Sequence, residues 1–225
     1  MTEPLIAAAA NNAEWCAAVG RTHGVRSSFG ERAWRALDRT PPFYPEAVTL
    51  RPGAVPGDVL PGGELSGYSV KDSFAELDLA PHGFTKLFDA QWIHRPPDVP
   101  APPMPGLRIE RVTAGGFREW QVAWHGGDDV PDIFRPALLD DPAVSVLAFR
   151  RGDEPRGELV GGAALNRSGD VVGVSNLFGG SDAWAAAINA VPGVALVGYE
   201  QGDELGPAVD AGFDDVGPLR VWLHE

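Results

Sequence analysis

The stretch Val171–Trp184 reads VVGVSNLFGGSDAW, and its reading decides the fold. Val171, Val172 and Val174 are β-branched and suit a buried strand. Gly179 and Gly180 break that strand. Ser181 or Asp182 can cap a helix that starts at Trp184-Ala185-Ala186-Ala187-Ile188. A strand, a glycine turn and a helix start form a potential anion cradle, because the first amides of a helix have no partner within it.

Outward from this stretch the chain alternates strands and short helices. Upstream, Leu107–Val112 is a strand, and Phe117–Trp124 is a helix with Phe117, Trp120 and Trp124 at helical spacing. Pro131–Leu139 reads as a second helix opened by proline. Val144–Arg150 and Glu158–Asn166 read as strands joined by the turn Arg151-Gly152-Asp153-Glu154-Pro155. Downstream, Ala195–Glu200 is a strand, Asp203–Ala211 a helix, and Phe213–His224 a strand bent at Gly217-Pro218.

The clearest boundary is the run 95–106, with Pro96, Pro97, Pro100, Pro102, Pro103 and Pro105. So many prolines give a stiff, extended spacer. Residues 1–95, a linker over 96–106 and residues 107–225 are therefore the expected parts. In the first part, residues 1–10 are expected to fray, and Asn12 to cap a helix from Ala13 to about Arg21. A second helix is expected over Phe29–Leu37. Ala47–Arg51 and Tyr68–Phe74 read as strands, Ala75–Leu79 as a short helix, and Phe84–Arg95 as a long strand. The two parts end alike. Gly67-Tyr68, Gly83-Phe84 and Trp92-Ile93-His94 recur as Gly198-Tyr199, Gly212-Phe213 and Trp222-Leu223-His224, and AVTLR matches VVGVSNLF, which points to an internal duplication.

The chain has 225 residues, 44% hydrophobic and 22% charged, enough for a sizeable core. A net charge of −13 argues against nucleic acid or an anionic membrane as partner. The single cysteine, Cys16, excludes a disulfide framework and a cysteine-rich metal site, and reads as a buried helix thiol. The histidines lack metal-ligand spacing, so no metal is expected. The start has no basic n-region and no run spans a bilayer, so the expected location is cytoplasmic. The sequence leaves monomer or homodimer open.

The order of strands and helices in residues 107–225, with Gly212-Phe213 after a short helix, resembles the GCN5-related N-acetyltransferase (GNAT) superfamily. The whole chain is similar to two-part actinobacterial members with a degenerate N-terminal half, and its Gly-, Pro-, Ala- and Asp-rich, lysine-poor composition fits a high-GC source. The resemblance implies an α/β (α+β) fold with a mixed sheet flanked by helices, preceded by a smaller truncated copy. It also implies acetyl-CoA as cofactor, held through Val174, Asn176, Phe178, Gly179, Gly180 and Ser181 where the central strand splays. A small-molecule amine would be acetylated directly. Such a reaction needs a base for the ammonium and an acid for the thiolate. Glu200 and His125 are the candidate bases, with Tyr199 as a further catalytic candidate. Trp124, Asp128, Asp72 and Ser175 are candidates for holding substrate. The chain departs from the family pattern in two places. The pyrophosphate turn R/Q-x-x-G-x-G/A lacks its Arg or Gln, and Ala208 stands where many members carry a tyrosine four residues before Gly-Phe. Asp182 adds a carboxylate at the helix start. The alternative reading is therefore a non-catalytic or repurposed protein of the same fold that binds a ligand or partner, or works without CoA.

Overall fold

A computed structural model describes residues 2–104, 106–152, 157–180 and 182–225. In chain order the elements are α1 (Glu3–Thr22), β1 (Ser27–Phe29), β2 (Ala33–Ala36), β3 (Ala47–Thr49), α2 (Pro56–Val59), β4 (Ser69–Asp72) and β5 (Phe84–Arg95). Beyond the proline-rich run come β6 (Leu107–Arg111), α3 (Phe117–His125), β7 (Val144–Arg151), β8 (Glu158–Ser168) and β9 (Val171–Phe178). The chain closes with α4 (Asp182–Ala190), β10 (Ala195–Glu200), α5 (Leu205–Asp210) and β11 (Asp214–His224). Ser181, expected at the cradle, and the tip of the turn over 153–155 lie outside the described residues.

All strands join one mixed sheet in the order β1-β2-β3-β4-β11-β5-β10-β9-β8-β7-β6. The pairing senses mirror one another about the antiparallel β11–β5 pair. β4 and β10 flank it antiparallel, each is followed by a parallel neighbour (β3 and β9), and antiparallel strands lie outside those. Helices cover both faces, and strand alternation assigns side chains between them. On β7, Val144, Val146 and Ala148 face the core around α1 and α3, whereas Leu147 and Phe149 face the core around α4 and α5.

The first helix is longer than its sequence suggested. Pro4 sits in its first turn, where a missing N–H costs nothing, and the alanine run carries it through the asparagines to Thr22. Asn11 and Asn12 do not cap it. They are buried mid-helix, and their side chains bond outward to the sheet.

Three expected helices are not formed. Phe29–Leu37 is a hairpin: Trp34 pairs with Phe29 and Val48, and its ring is fully buried. Arg, Ala and Leu are good helix formers, but propensity is a small energy per residue, and pairing with β3 overrides it. Residues 75–79 form a turn because Asp72 accepts the amides of Phe74 and Leu77, with Ala75 at φ 52. Pro136 interrupts the run Pro131–Leu139, leaving only a 3-10 turn over Pro136–Asp140.

Candidate functional site

β9 and β10 run parallel and pair at Val171↔Ala195, Val172↔Leu196 and Gly173↔Val197, and there the pairing stops. Each strand stays anchored on its far side. Val174 and Ser175 pair with Leu165 and Ala164 of β8, while Gly198, Tyr199 and Glu200 pair with Ile93, Trp92 and Gln91 of β5. The two inner edges therefore diverge with backbone groups facing a gap.

A bulge accompanies the divergence. Asn176 has φ 54, and the β8–β9 register slips between Gly162 and Ala164. One extra residue flips the face on which later side chains fall. Val172 and Val174 pack on the α4 side, but Phe178 packs on Trp120, with ring centroids 5.6 Å apart, on the α3 side. Asparagine tolerates this left-handed backbone better than most residues.

A cleft of about 540 Å³ occupies the mouth of the gap. Val174, Ser175, Asn176 and Leu177 line one wall, and Tyr199 and Glu200 another. Trp124 and His125 reach it from the end of α3. The structure thus brings together Glu200, His125, Tyr199, Trp124, Ser175, Val174 and Asn176 from the sequence-level candidates. Asp128 is exposed and does not line the cleft; its carbonyl accepts from Arg118 at 2.6 Å. Asp72 is also outside it, buried and bonded to Thr49, Phe74 and Leu77.

The N-terminal elements supply walls that the sequence did not announce. Asn12, Trp15 and Cys16 come from α1, Phe43 and Tyr44 from the segment before β3, and Lys71 from β4. Lys71 is one of two lysines in the chain and sits on the short, largely buried strand β4, Ser-Val-Lys-Asp. Its ammonium donates to Asn12 Oδ1 at 2.9 Å and lies 4.1 Å from the centre of the Tyr199 ring.

Burial sets the protonation of the cleft. It pushes the Glu200 carboxyl up to about 7, and Glu204 adds to the rise. It pushes the Cys16 thiol up to about 11 and the Tyr44 phenol well above its usual value, so both remain protonated at neutral pH. The Tyr44 hydroxyl meets Asn176 Oδ1 at 3.5 Å.

A smaller hollow of about 230 Å³ lies at the glycine turn, lined by Gly161, Gly179, Gly180, Asp182 and Arg151. Gly179 has φ 110, and a Cβ there would strike the backbone of Gly161 and Val160, so only glycine fits. Gly180 opens to free space. Asp182, in the first turn of α4, pairs with Arg151 at 2.8 Å. The end of β7 thus brings a basic side chain, Arg151, to the turn. No cluster of His, Cys, Asp and Glu able to hold a metal occurs among the described residues, and none of their helices is long and apolar enough to cross a membrane.

No family model and no curated protein matches this chain by sequence. Solved structures do match it. A GCN5-related N-acetyltransferase from Kribbella flavida aligns with a TM-score of 0.61, covering 96% of this chain and 95% of its own, at 16% identity. A protein from Novosphingobium aromaticivorans assigned to the GNAT family gives 0.54 over 93% and 94%, also at 16% identity. A conserved protein of unknown function from Staphylococcus epidermidis gives 0.53 over 71% and 73%, at 8% identity. Over nearly its whole length, the chain has the fold of the GCN5-related N-acetyltransferases.

Proposed function

We propose that the protein transfers an acetyl group from acetyl-CoA directly to a small amine. The observation that carries this reading is Glu200, a carboxyl whose pKa is pushed up to about 7, at the mouth of the gap between β9 and β10. A base that titrates near neutral pH suits proton removal from an ammonium group.

The residues present fit a CoA-type arm. The inner edges of Val174–Leu177 and Gly198–Glu200 offer backbone groups not spent on each other. Gly179 and Gly180 keep the turn open, and Arg151 offers a cation for phosphate. When bound there, acetyl-CoA supplies the activated acyl carbon. Glu200 accepts the proton from the amine and so exposes its lone pair for attack. The wall formed by Trp15, Trp124 and Ile133 limits water around the reacting amine. His125 lies at the rim, where a water can relay protons to solvent. Tyr199, packed edge-on against Trp92 beside Glu200, is the candidate to protonate the departing sulfur.

Two observations favour the alternative, a binding protein of this fold without transferase activity. Ala208 is fully buried in α5 and brings no hydroxyl where many members of the superfamily hold a tyrosine. Asp182 already occupies Arg151.

Thermal unfolding with and without millimolar acetyl-CoA is the first test, since a ligand that binds only the folded state raises Tm. A rise in Tm, followed by thiol release in an amine screen, supports the transferase. A rise without thiol release supports the binding reading, and no rise removes CoA from both.

A further inference from the structure

We propose that the amine accepted by this cleft also carries a carboxylate, and that Lys71 binds it. The substrate class is then free amino acids with apolar side chains rather than simple amines. The acetylation of that amino acid rests on the transferase reading above; its binding does not.

Lys71 is 5% exposed, yet it lines the cleft. Its contacts are one neutral amide oxygen, Asn12 Oδ1, and one aromatic face, Tyr199. An ammonium has three donors, and neither contact carries a full negative charge. No carboxylate of the described residues lies within 4.0 Å of Lys71 Nζ. The nearby acids are committed elsewhere. Asp72 serves Thr49, Phe74 and Leu77, and Glu46 serves Arg39, Thr40 and Ser69. Cys16 and Tyr44, the other ionisable groups on this wall, are held protonated by burial.

A buried cation without a counter-charge is unfavourable, and a ligand carboxylate corrects it. Glu200, on β10 of the same sheet, lines the same cleft and suits the ammonium of the same ligand. Lys71 and an ionised Glu200 lining a single cleft match a zwitterion. Trp15, Phe43, Trp124 and Ile133 add apolar wall for its side chain, and Phe43 is left 83% exposed at the rim.

Isothermal titration without acyl donor tests this directly. The probes are leucine, methionine, phenylalanine, tyrosine and tryptophan, each against the amine left when its carboxylate is removed. At least one amino acid is expected to bind about tenfold or more tightly than its amine, as removal of a charged partner predicts. Lys71→Met should shrink that gap to about twofold or less, and Lys71→Arg should keep part of it. On the wild type alone, 3-phenylpropionate, which has the carboxylate without the amine, should compete with bound phenylalanine or its analogues. The proposal is overturned if no amino acid binds, if the amines bind as well as the amino acids, or if Lys71→Met preserves the gap. Should Lys71→Met fail to fold, the amino acid–amine comparison and the competition on the wild type decide the matter. Thiol release with acetyl-CoA is read separately. Amino acid binding without thiol release upholds the Lys71 site and sinks the transferase; thiol release with amines but not amino acids does the reverse.

Discussion

Asn11 and Asn166 clasp each other's backbones: Asn11 Nδ2 donates to the Asn166 carbonyl at 3.0 Å, and Asn166 Nδ2 donates to the Asn11 carbonyl at 3.1 Å. The clasp fixes α1 to β8, and Gly173 allows it, because a Cβ there would strike Asn11 Oδ1. α1 in turn carries Asn12, Trp15 and Cys16 to the cleft. Asn11→Ala removes the bonds to Asn166 and to Ser168 Oγ from a buried site. Urea unfolding should show a loss of about 1–3 kcal/mol. A smaller change would mean that the clasp contributes little to holding the helix.

Arg151 and Asp182 pair across the glycine turn with both side chains more than half exposed, so the pair itself adds little stability. Asp182→Asn frees Arg151 and removes a negative charge from the helix start. Calorimetry should record CoA binding about threefold to tenfold tighter, with Tm almost unchanged. Arg151→Ala should weaken binding instead. Equal affinity in all three proteins would exclude this turn as the phosphate site.

Glu200 makes two pH-dependent statements. As a base it must be ionised, so kcat/KM should rise with pH and level off above about 7, where its carboxyl titrates in the folded protein. Glu200→Gln should flatten that limb and cost about a hundredfold or more in rate. Stability runs the other way. Because burial raises this pKa from 4.5 to about 7, the folded protein binds the proton more strongly than the unfolded chain does. Stability is fully present below the unfolded value, falls as pH rises between the two, and is level above. The loss is up to about 3 kcal/mol, and Glu200→Gln should abolish it. Chemical denaturation at pH 4.5 and pH 8 reads the difference.

Asn176 holds the bulge that parts β9 from β10. Its φ of 54 suits asparagine or glycine but not a β-branched residue. Asn176→Val should lose about 1–3 kcal/mol, while Asn176→Gly stays close to wild type in stability. A valine variant as stable as wild type would show that the left-handed backbone is not what maintains the divergence.

The sequence was most legible where one period dominated. The valines of β9, the glycine turn and the helix after it are local features, and local chemistry decided them. The hairpin β1–β2 was not legible, because GERAWRALDR has helical composition and becomes sheet only through a partner, β3, more than ten residues on. The same reason hid half of the cleft. Glu200, Tyr199 and Ser175 follow from their place on β9 and β10, but Lys71, Asn12 and Tyr44 meet them only after four separate elements are assembled. Asp128 looked well placed in its loop, yet the loop turns outward at Gly126, with φ 79. Arg151 escaped notice because its partner lies 31 positions away, across a turn rather than along a helix.

The placement of β5 between β10 and β11 has a consequence for how this chain is made. On the ribosome, β5 (Phe84–Arg95) is synthesised well ahead of both of its neighbours, which come from residues 195–224. Until those emerge, both edges of a twelve-residue strand remain open. The native sheet therefore closes only after residues 195–224 have been translated, and such long-range pairing is intrinsically slow. A chaperone that shields strand edges would matter more for this protein than for one whose neighbouring strands follow each other in sequence.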